Sequence, residues 1–392
     1  MKALFKKIHL WLSLPLGLVI SVICLTGAIL VFEQDITRAL QRELYTVTPP
    51  EEGAQHLPPS ALAAGIMASM ADSTLFTAPG APATSSQTLE LTSIQIPGDP
   101  DGSALVSFRQ TGRSQLAVNP YTGEILGWTQ SYPFFQTVKK IHRWLMDPPP
   151  SKGQKSAGKI IVGISTVVMV VILLSGLVIW IPRNRKALKN RLRVSLNRGW
   201  HRFWYDSHVA LGFYATVFLL VMALTGLTWS FGWYRDAAYS LFGANDRQAP
   251  ASAAQPGSTQ VRQQQNQPQR QEPAFDYSAW DKAVSELRDA YPVYKTITLN
   301  EKTIQIIPDP HAVMRKADII TFDPATGAIT DISPYSERPR SQTIKGWFYA
   351  FHTGSWGGMV TKILYFLAAI IGGILPLTGY YLWWKRIRRR RT

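Results

Sequence analysis

HVALGFYATVFLLVMALTG, residues 208–226, is an apolar run with a histidine at its head and a Thr-Gly pair at its tail. The N-terminus has the same layout: residues 9–27 read HLWLSLPLGLVISVICLTG, from His9 to Thr26-Gly27. In both stretches seventeen residues separate the histidine from the threonine. A helix rises about 1.5 Å per residue, so this spacing covers roughly 26 Å, close to the thickness of a bilayer's hydrocarbon core. Each histidine is therefore expected at one membrane face and each Thr-Gly near the other.

Outward from this pair, four apolar runs are long enough to span a membrane: Leu10–Phe32, Ile160–Ile181, Val209–Phe231 and Val360–Trp384. Pro15, Gly372, Gly373 and Pro376 fall inside them. Such residues argue against a water-soluble helix and are tolerated in lipid. The first run exceeds the apolar core of a cleavable signal, which predicts an uncleaved anchor. Cys24, the single cysteine, lies in that run, which rules out disulfides and thiolate sites in the water-exposed parts.

The net charge of +16 invites a nucleic-acid reading until its placement is considered. Lys2, Lys6 and Lys7 precede the first run, and Arg183, Arg185, Lys186, Lys189, Arg191, Arg193, Arg198 and Arg202 crowd the short second loop. Lys385, Arg386 and Arg388–Arg391 follow the last run. Basic residues mark the cytoplasmic ends of spans, so the charge reads as topology and no nucleic-acid partner is expected. Both termini are then cytoplasmic and the partner of the apolar faces is the lipid bilayer. The expected order is a first helix with its N-terminus (1–32), an outward module (33–157), a second helix (158–182), a basic loop (183–207), a third helix (208–232), a second outward module (233–358), a fourth helix (359–384) and a basic tail (385–392).

The second half repeats the first. Lys159, Ser175-Gly176, Trp180 and Arg183 have the same internal spacing as Lys362, Thr378-Gly379, Trp383 and Arg386. Val118–Ile125 (VNPYTGEI) answers Phe322–Ile329 (FDPATGAI), each reading as two strands joined by a Pro/Gly turn. The fold class is thus an integral-membrane α-helical bundle of four transmembrane helices in two parallel, pseudo-twofold repeats, with two outward α+β modules. In the first module the pattern predicts a helix near Ser60–Ala71, a Pro/Ser/Thr-rich loop near Ala78–Ser86 and strands at Leu89–Ile96, Ala104–Gln110 and Ser114–Val118. In the second it predicts a Gln/Pro-rich linker at 244–273, a helix at Trp280–Tyr291 and strands at Thr296–Leu299, Thr303–Ile307 and Asp318–Thr321.

Of the seven histidines, His56 and His311 fall in outward loops. The others sit at the ends of spans, with His9, His201 and His208 at the cytoplasmic face and His142 and His352 at the outer face. Packing of the repeats about a pseudo-twofold axis sets His9 opposite His208 and His142 opposite His352. Facing neutral imidazoles suit the two axial positions of a haem iron held between helices, which predicts two haems, one near each membrane face. Gly27 and Gly226 lie at the depth of the outer pair, Gly176 and Gly379 at that of the inner pair. Glycine there either lets a flat macrocycle approach a backbone or lets helices pack closely. Arg143, Arg202, Lys159 and Lys362 are placed either to meet haem propionates or to anchor in lipid headgroups. No nucleophile with its base, zinc-protease helix, P-loop or dinucleotide fingerprint is present, so no residue is assigned a catalytic role.

Several motifs, HRWL (142–145), SGLVIWIPR (175–183), His208-x-x-x-Gly212, LTGL (224–227) and FHTG (351–354), resemble the PepSY-associated transmembrane family. The resemblance spans nearly the whole chain and makes the outward parts PepSY-like modules. It implies a protein of the bacterial inner membrane, similar to reductases that carry two b-type haems and reduce ferric siderophores in the periplasm. Carried over residue by residue, the axial ligands would be His9, His142, His208 and His352, with His201 as a substitute or a neighbour of the ligands. Longer relatives add a flavodoxin-type reductase module; this chain lacks one, so a separate cytoplasmic or quinol electron donor is implied. The expected activity is haem-dependent ferric-siderophore reduction with release of Fe(II). The alternative is a non-enzymatic, membrane-anchored regulator or inhibitor of a periplasmic peptidase.

Overall fold

The computed structural model describes residues 1–71, 89–112, 114–151, 154–244 and 275–391. The chain divides into two compact units, one of Met1–Ala39, Ser131–Phe242 and Ile344–Thr392, the other of Leu40–Gln130 and Gly243–Thr343. The helices in chain order are α1 (Lys2–Val31), α2 (Glu33–Leu40), α3 (Arg42–Tyr45), α4 (Pro59–Ala71), α5 (Pro133–Trp144), α6 (Ala157–Trp180), α7 (Arg185–Arg191), α8 (Trp200–Ser230), α9 (Gly232–Leu241), α10 (Ser278–Leu287), α11 (Arg340–Thr353) and α12 (Gly358–Arg391). The linker at 244–273, apart from Ala244, and the loop near Ala78–Ser86 lie outside the described residues.

In the first unit α1, α6, α8 and α12 are long and apolar enough to cross a membrane. α1 packs on α6 and α12, and α8 packs on the same two, so α1 and α8 stand on a diagonal of the bundle. Ile20, Cys24, Met169, Leu173, Ala215, Leu219 and Ala368 form its apolar centre. Close crossings are made by glycines: a Cβ on Gly372 would meet Leu219 at 2.7 Å, and one on Gly373 would meet Leu25 at 2.5 Å. Gly17 makes room for the Tyr380 hydroxyl, which donates to the Leu14 carbonyl at 2.8 Å. Pro15 and Pro376 lie inside α1 and α12 without ending them, as neighbouring helices in lipid permit.

The spans run past the apolar sequence on which they were predicted. α8 begins at Trp200, not 208, and so carries Asp206 inside the helix, 3% exposed. Arg202, one turn earlier, neutralises it through Nε at 2.9 Å. Two further helices, in stretches that the sequence reading assigned to the outward modules without predicting a helix, belong to this unit. α5, opened by Pro133 at its first turn, packs on α1 and α6. α11 brings Ile344, Phe348 and Ala350 inward.

The second unit holds one antiparallel sheet built of β1 (Leu91–Pro97), β2 (Ala104–Phe108), β3 (Gln115–Val118), β4 (Ile125–Trp128), β5 (Thr296–Asn300), β6 (Thr303–Ile307), β7 (Asp318–Phe322) and β8 (Ile329–Ser333). The strand order is β4-β3-β2-β1-β5-β6-β7-β8. Burial alternates along β5, β6 and β7, as a sheet with one covered face requires. The two Pro/Gly turns take the predicted form: Asn119 and Asp323 accept backbone bonds two residues on, and Gly123 and Gly327 adopt φ of +77° and +73°.

The strands expected in the two outward modules meet in one sheet at β1. It pairs with β5, placing Ile94 opposite Leu299 and Ile96 opposite Ile297. Alone, each four-stranded half would expose an edge strand with open N–H and C=O groups, and joining satisfies both edges. A single core follows, in which Leu62 and Ile66 of α4 and Trp280, Ala283 and Leu287 of α10 cover Ile94, Val106, Leu299, Ile304 and Ile320. α4 and α10 are tied by Ser60, whose N–H and hydroxyl both donate to Asp281.

Candidate functional site

Four helices of the first unit each present one histidine to the bundle. His9 is on α1, His208 on α8, His142 on α5 and His352 on α11. Each ring is gripped in the same way by the Ser/Thr-Gly pair of a neighbouring helix. His142 Nδ1 lies 2.9 Å from the Ile23 carbonyl and 3.3 Å from Thr26 Oγ1. His352 Nδ1 lies 2.9 Å from the Met222 carbonyl and 3.3 Å from Thr225 Oγ1. His9 Nδ1 lies 3.0 Å from the Ile172 carbonyl and 3.2 Å from Ser175 Oγ. His208 Nδ1 lies 2.8 Å from Thr378 Oγ1, whose own proton goes to the Leu375 carbonyl.

These contacts settle the tautomer by elimination. A carbonyl only accepts, so Nδ1 carries the proton in His9, His142 and His352. Thr378 has spent its proton, so His208 Nδ1 donates as well. In a neutral ring so oriented Nε2 holds the lone pair, and in all four rings it makes no hydrogen bond among the described residues. Outside the spans, burial, reinforced by the neighbouring His352 and by Arg143, lowers the His142 pKa to about 4 against the opposing bond to Ile23, and burial likewise lowers His352. Both outer rings are therefore neutral bases at physiological pH.

The rings meet in two pairs. The ring centres of His9 and His208 are 6.3 Å apart with planes at 84°. Those of His142 and His352 are 6.2 Å apart with planes at 53°. Metal–imidazole bonds of about 2.0 Å, with about 1.1 Å from each nitrogen to its ring centre, would let two rings about 6.2 Å apart share one metal. Both pairs have that separation. No group of three or more His, Cys, Asp or Glu able to hold an ion occurs among the described residues. The donor set at each pair is thus two imidazoles, which fits a metal whose remaining positions are filled by a macrocycle, as in haem.

The glycines act on the ligand rings themselves. A Cβ on Gly27 would lie 3.0 Å from His142 Cε1, and one on Gly226 would lie 3.0 Å from His352 Cε1. At the inner pair the corresponding distances are 3.3 Å from Gly176 to His9 and 3.7 Å from Gly379 to His208. An imidazole ring takes the space that each missing side chain leaves. The close helix crossings fall to other glycines, such as Gly372 and Gly373.

His201 lies seven residues before His208 on α8, about 10 Å along the axis, and His208 is the ring that stands opposite His9. His56 packs on Tyr121 in the second unit, 4.7 Å between ring centres. Lys362 Nζ bonds both Asp35 oxygens, at 2.7 and 2.9 Å, and Arg143 stacks on Trp144 at 4.6 Å. Sequence reasoning did not foresee α5 and α11 as the helices that carry His142 and His352, nor the helix carbonyls as the groups that orient the rings. The signals were present: Pro133 opening α5, and a carbonyl three residues before each Ser/Thr of the small pairs.

No curated protein matches the chain. A family model for the PepSY-associated TM region matches residues 6–386, and the chain, a multi-pass membrane protein, belongs to that family.

Proposed function

We propose that the protein is a di-haem electron carrier of the bacterial inner membrane, reducing a ferric siderophore on the periplasmic side with electrons from a separate cytoplasmic or quinol donor. The observation that supports this reading is the pairing of imidazoles, with ring centres 6.3 and 6.2 Å apart, twice, at opposite ends of one bundle. His9 and His208 would hold one haem b, His142 and His352 the other. Haem bound at these positions supplies reversible one-electron chemistry.

The chain's own contribution is orientation and exclusion. Carbonyls of Ile23, Ile172 and Met222, with Thr378, fix each ring through Nδ1–H and raise the basicity of Nε2. The Ser/Thr-Gly pairs bring each ring against a helix backbone and keep water from it. Fe(III) in a hydroxamate or catecholate chelate is held by hard oxygens, and gaining one electron makes it the softer Fe(II), which those oxygens hold far less tightly. The carrier is left intact, and the iron is free for uptake.

The purified protein should be red, with a Soret band that shifts on dithionite reduction. His208→Ala and His352→Ala should each remove about half of the haem, and the double variant nearly all of it, since each ring supplies one of two protein ligands at its own site. Colourless protein at full haem supply would overturn this reading in favour of a membrane-anchored peptidase regulator.

A further inference from the structure

A cleft outside the histidine sites lies between α7 and the first turns of α8, with a volume of about 200 Å³. Its walls include Asn190, Arg191, Arg202, Tyr205, Asp206 and Val209. Arg202, Asp206 and Val209 are spaced i, i+4, i+7, so they share one helix face; at 100° per residue that face is turned well away from His208. The loop after α7 is fastened over α8: the Ser195 N–H donates to Asp206 Oδ2 at 3.3 Å, and the Tyr214 hydroxyl donates to the Leu192 carbonyl at 3.2 Å.

The charge balance inside the cleft is positive. Asp206 is neutralised by Arg202 Nε, which leaves the outer nitrogens of that guanidinium for another acceptor. Arg191 uses Nη1 on the carbonyls that end α6, Ile179 and Trp180 among them, and retains its other donors. Asn190 adds an amide and Tyr205 a phenol. Two guanidinium forks with neutral donors between them match an oxyanion with several acceptors. A quinol ring would need apolar walls, and Val209 and Ala187 are the only apolar residues lining the cleft.

The surroundings say where that oxyanion comes from. Leu196 and Trp200, beside the cleft in sequence, are 74% and 70% exposed. Further along the same face of α8, Val217 is 66% exposed in a helix that crosses the membrane. Aromatic and apolar groups exposed at a basic helix end belong at the headgroup level of a bilayer. We infer that this cleft binds a phosphate ester, and that its source is the headgroup of an anionic phospholipid in the leaflet facing the basic loop. The inference is independent of the haem reading, because neither its residues nor its test involve the histidine pairs.

The test uses the full-length protein, delipidated in detergent and titrated with phosphatidylglycerol, phosphatidylcholine or inorganic phosphate, and read by native mass spectrometry and thermal unfolding. Phosphatidylglycerol should be retained and should raise the unfolding temperature, while phosphatidylcholine should do neither. Asn190 is exposed, so Asn190→Asp leaves the fold intact and sets a carboxylate against the headgroup; retention should weaken about five-fold or more. Arg202→Gln should weaken it similarly, and Asn190→Asp serves alone if loss of the partner to Asp206 unfolds the protein. Stabilisation by inorganic phosphate with no lipid retained would overturn the lipid assignment. Equal retention of both lipids, or retention unchanged in Asn190→Asp, would overturn the site.

Discussion

Replacing Gly226 by alanine tests the geometry of the outer pair with a single carbon atom. The new Cβ would stand 3.0 Å from His352 Cε1 and 3.4 Å from Nδ1. Carbon atoms settle about 3.5–4.0 Å apart, so the ring must retreat from α8 by about 0.5–1 Å. The bond from Nδ1–H to the Met222 carbonyl, 2.9 Å long, then stretches past the useful range of about 3.2 Å. Losing it deprives the buried Nδ1–H of its carbonyl, while the Met222 carbonyl still accepts from the Thr225 hydroxyl; a buried donor left short costs about 1–3 kcal/mol. Alanine otherwise favours a helix over glycine by about 1 kcal/mol, which gives the experiment its control. At Gly379 the Cβ would meet His208 at 3.7 Å, an ordinary contact, so Gly379→Ala should gain that propensity without loss. Thermal unfolding of the purified full chain should place Gly226→Ala below the parent and Gly379→Ala at or above it, with haem depleted only in the former. If both substitutions raised the unfolding temperature equally, the proposed grip of glycine on the ligand ring would be wrong.

Other expectations concern the second unit. A Cβ on Gly98 would fall 1.7 Å from the Tyr294 carbonyl at the end of the β1–β5 seam, where Gly98 N–H bonds Lys295 O. Gly98→Ala should therefore speed hydrogen exchange of the β1 and β5 amides, and unchanged protection would refute a shared sheet. Trp280 is fully buried and donates Nε1–H to the Asn300 carbonyl at 3.0 Å; Trp280→Ala should cost about 3–5 kcal/mol in denaturant unfolding, and Trp280→Phe distinctly less. Burial, then the hydrogen bond to Asp318 and its charge, raise the Tyr291 pKa from 10.0 to about 12. Between those values the unfolded chain has lost the proton and the folded one keeps it, so stability falls as pH rises through that window. A titration of tyrosinate absorbance should show a late-ionising tyrosine that disappears in Tyr291→Phe, and its persistence there would exclude Tyr291 as its source.

The four spans, their basic ends and the Pro/Gly turns can be read from the chain because each depends on neighbours close in sequence. Apolar length reports the membrane, positive charge reports the sidedness expected of it, and Asn119–Gly123 or Asp323–Gly327 closes on its own backbone. The facing of His9 with His208 was also anticipated from the spacing that recurs in both halves, and that of His142 with His352 from packing the repeats about a pseudo-twofold axis. What the pattern did not contain was the partner across space. Only packing decides that α1 and α8 stand diagonally, that α5 and α11 carry His142 and His352 into the bundle, and that Ile23 and Met222 orient those rings. The same holds for β1: its alternation announces a strand, but nothing local says that its free edge will be met by β5. Hydrogen bonds between residues two hundred positions apart are chosen by which open edges and apolar faces the folded chain brings together, a property of the whole and of no single segment.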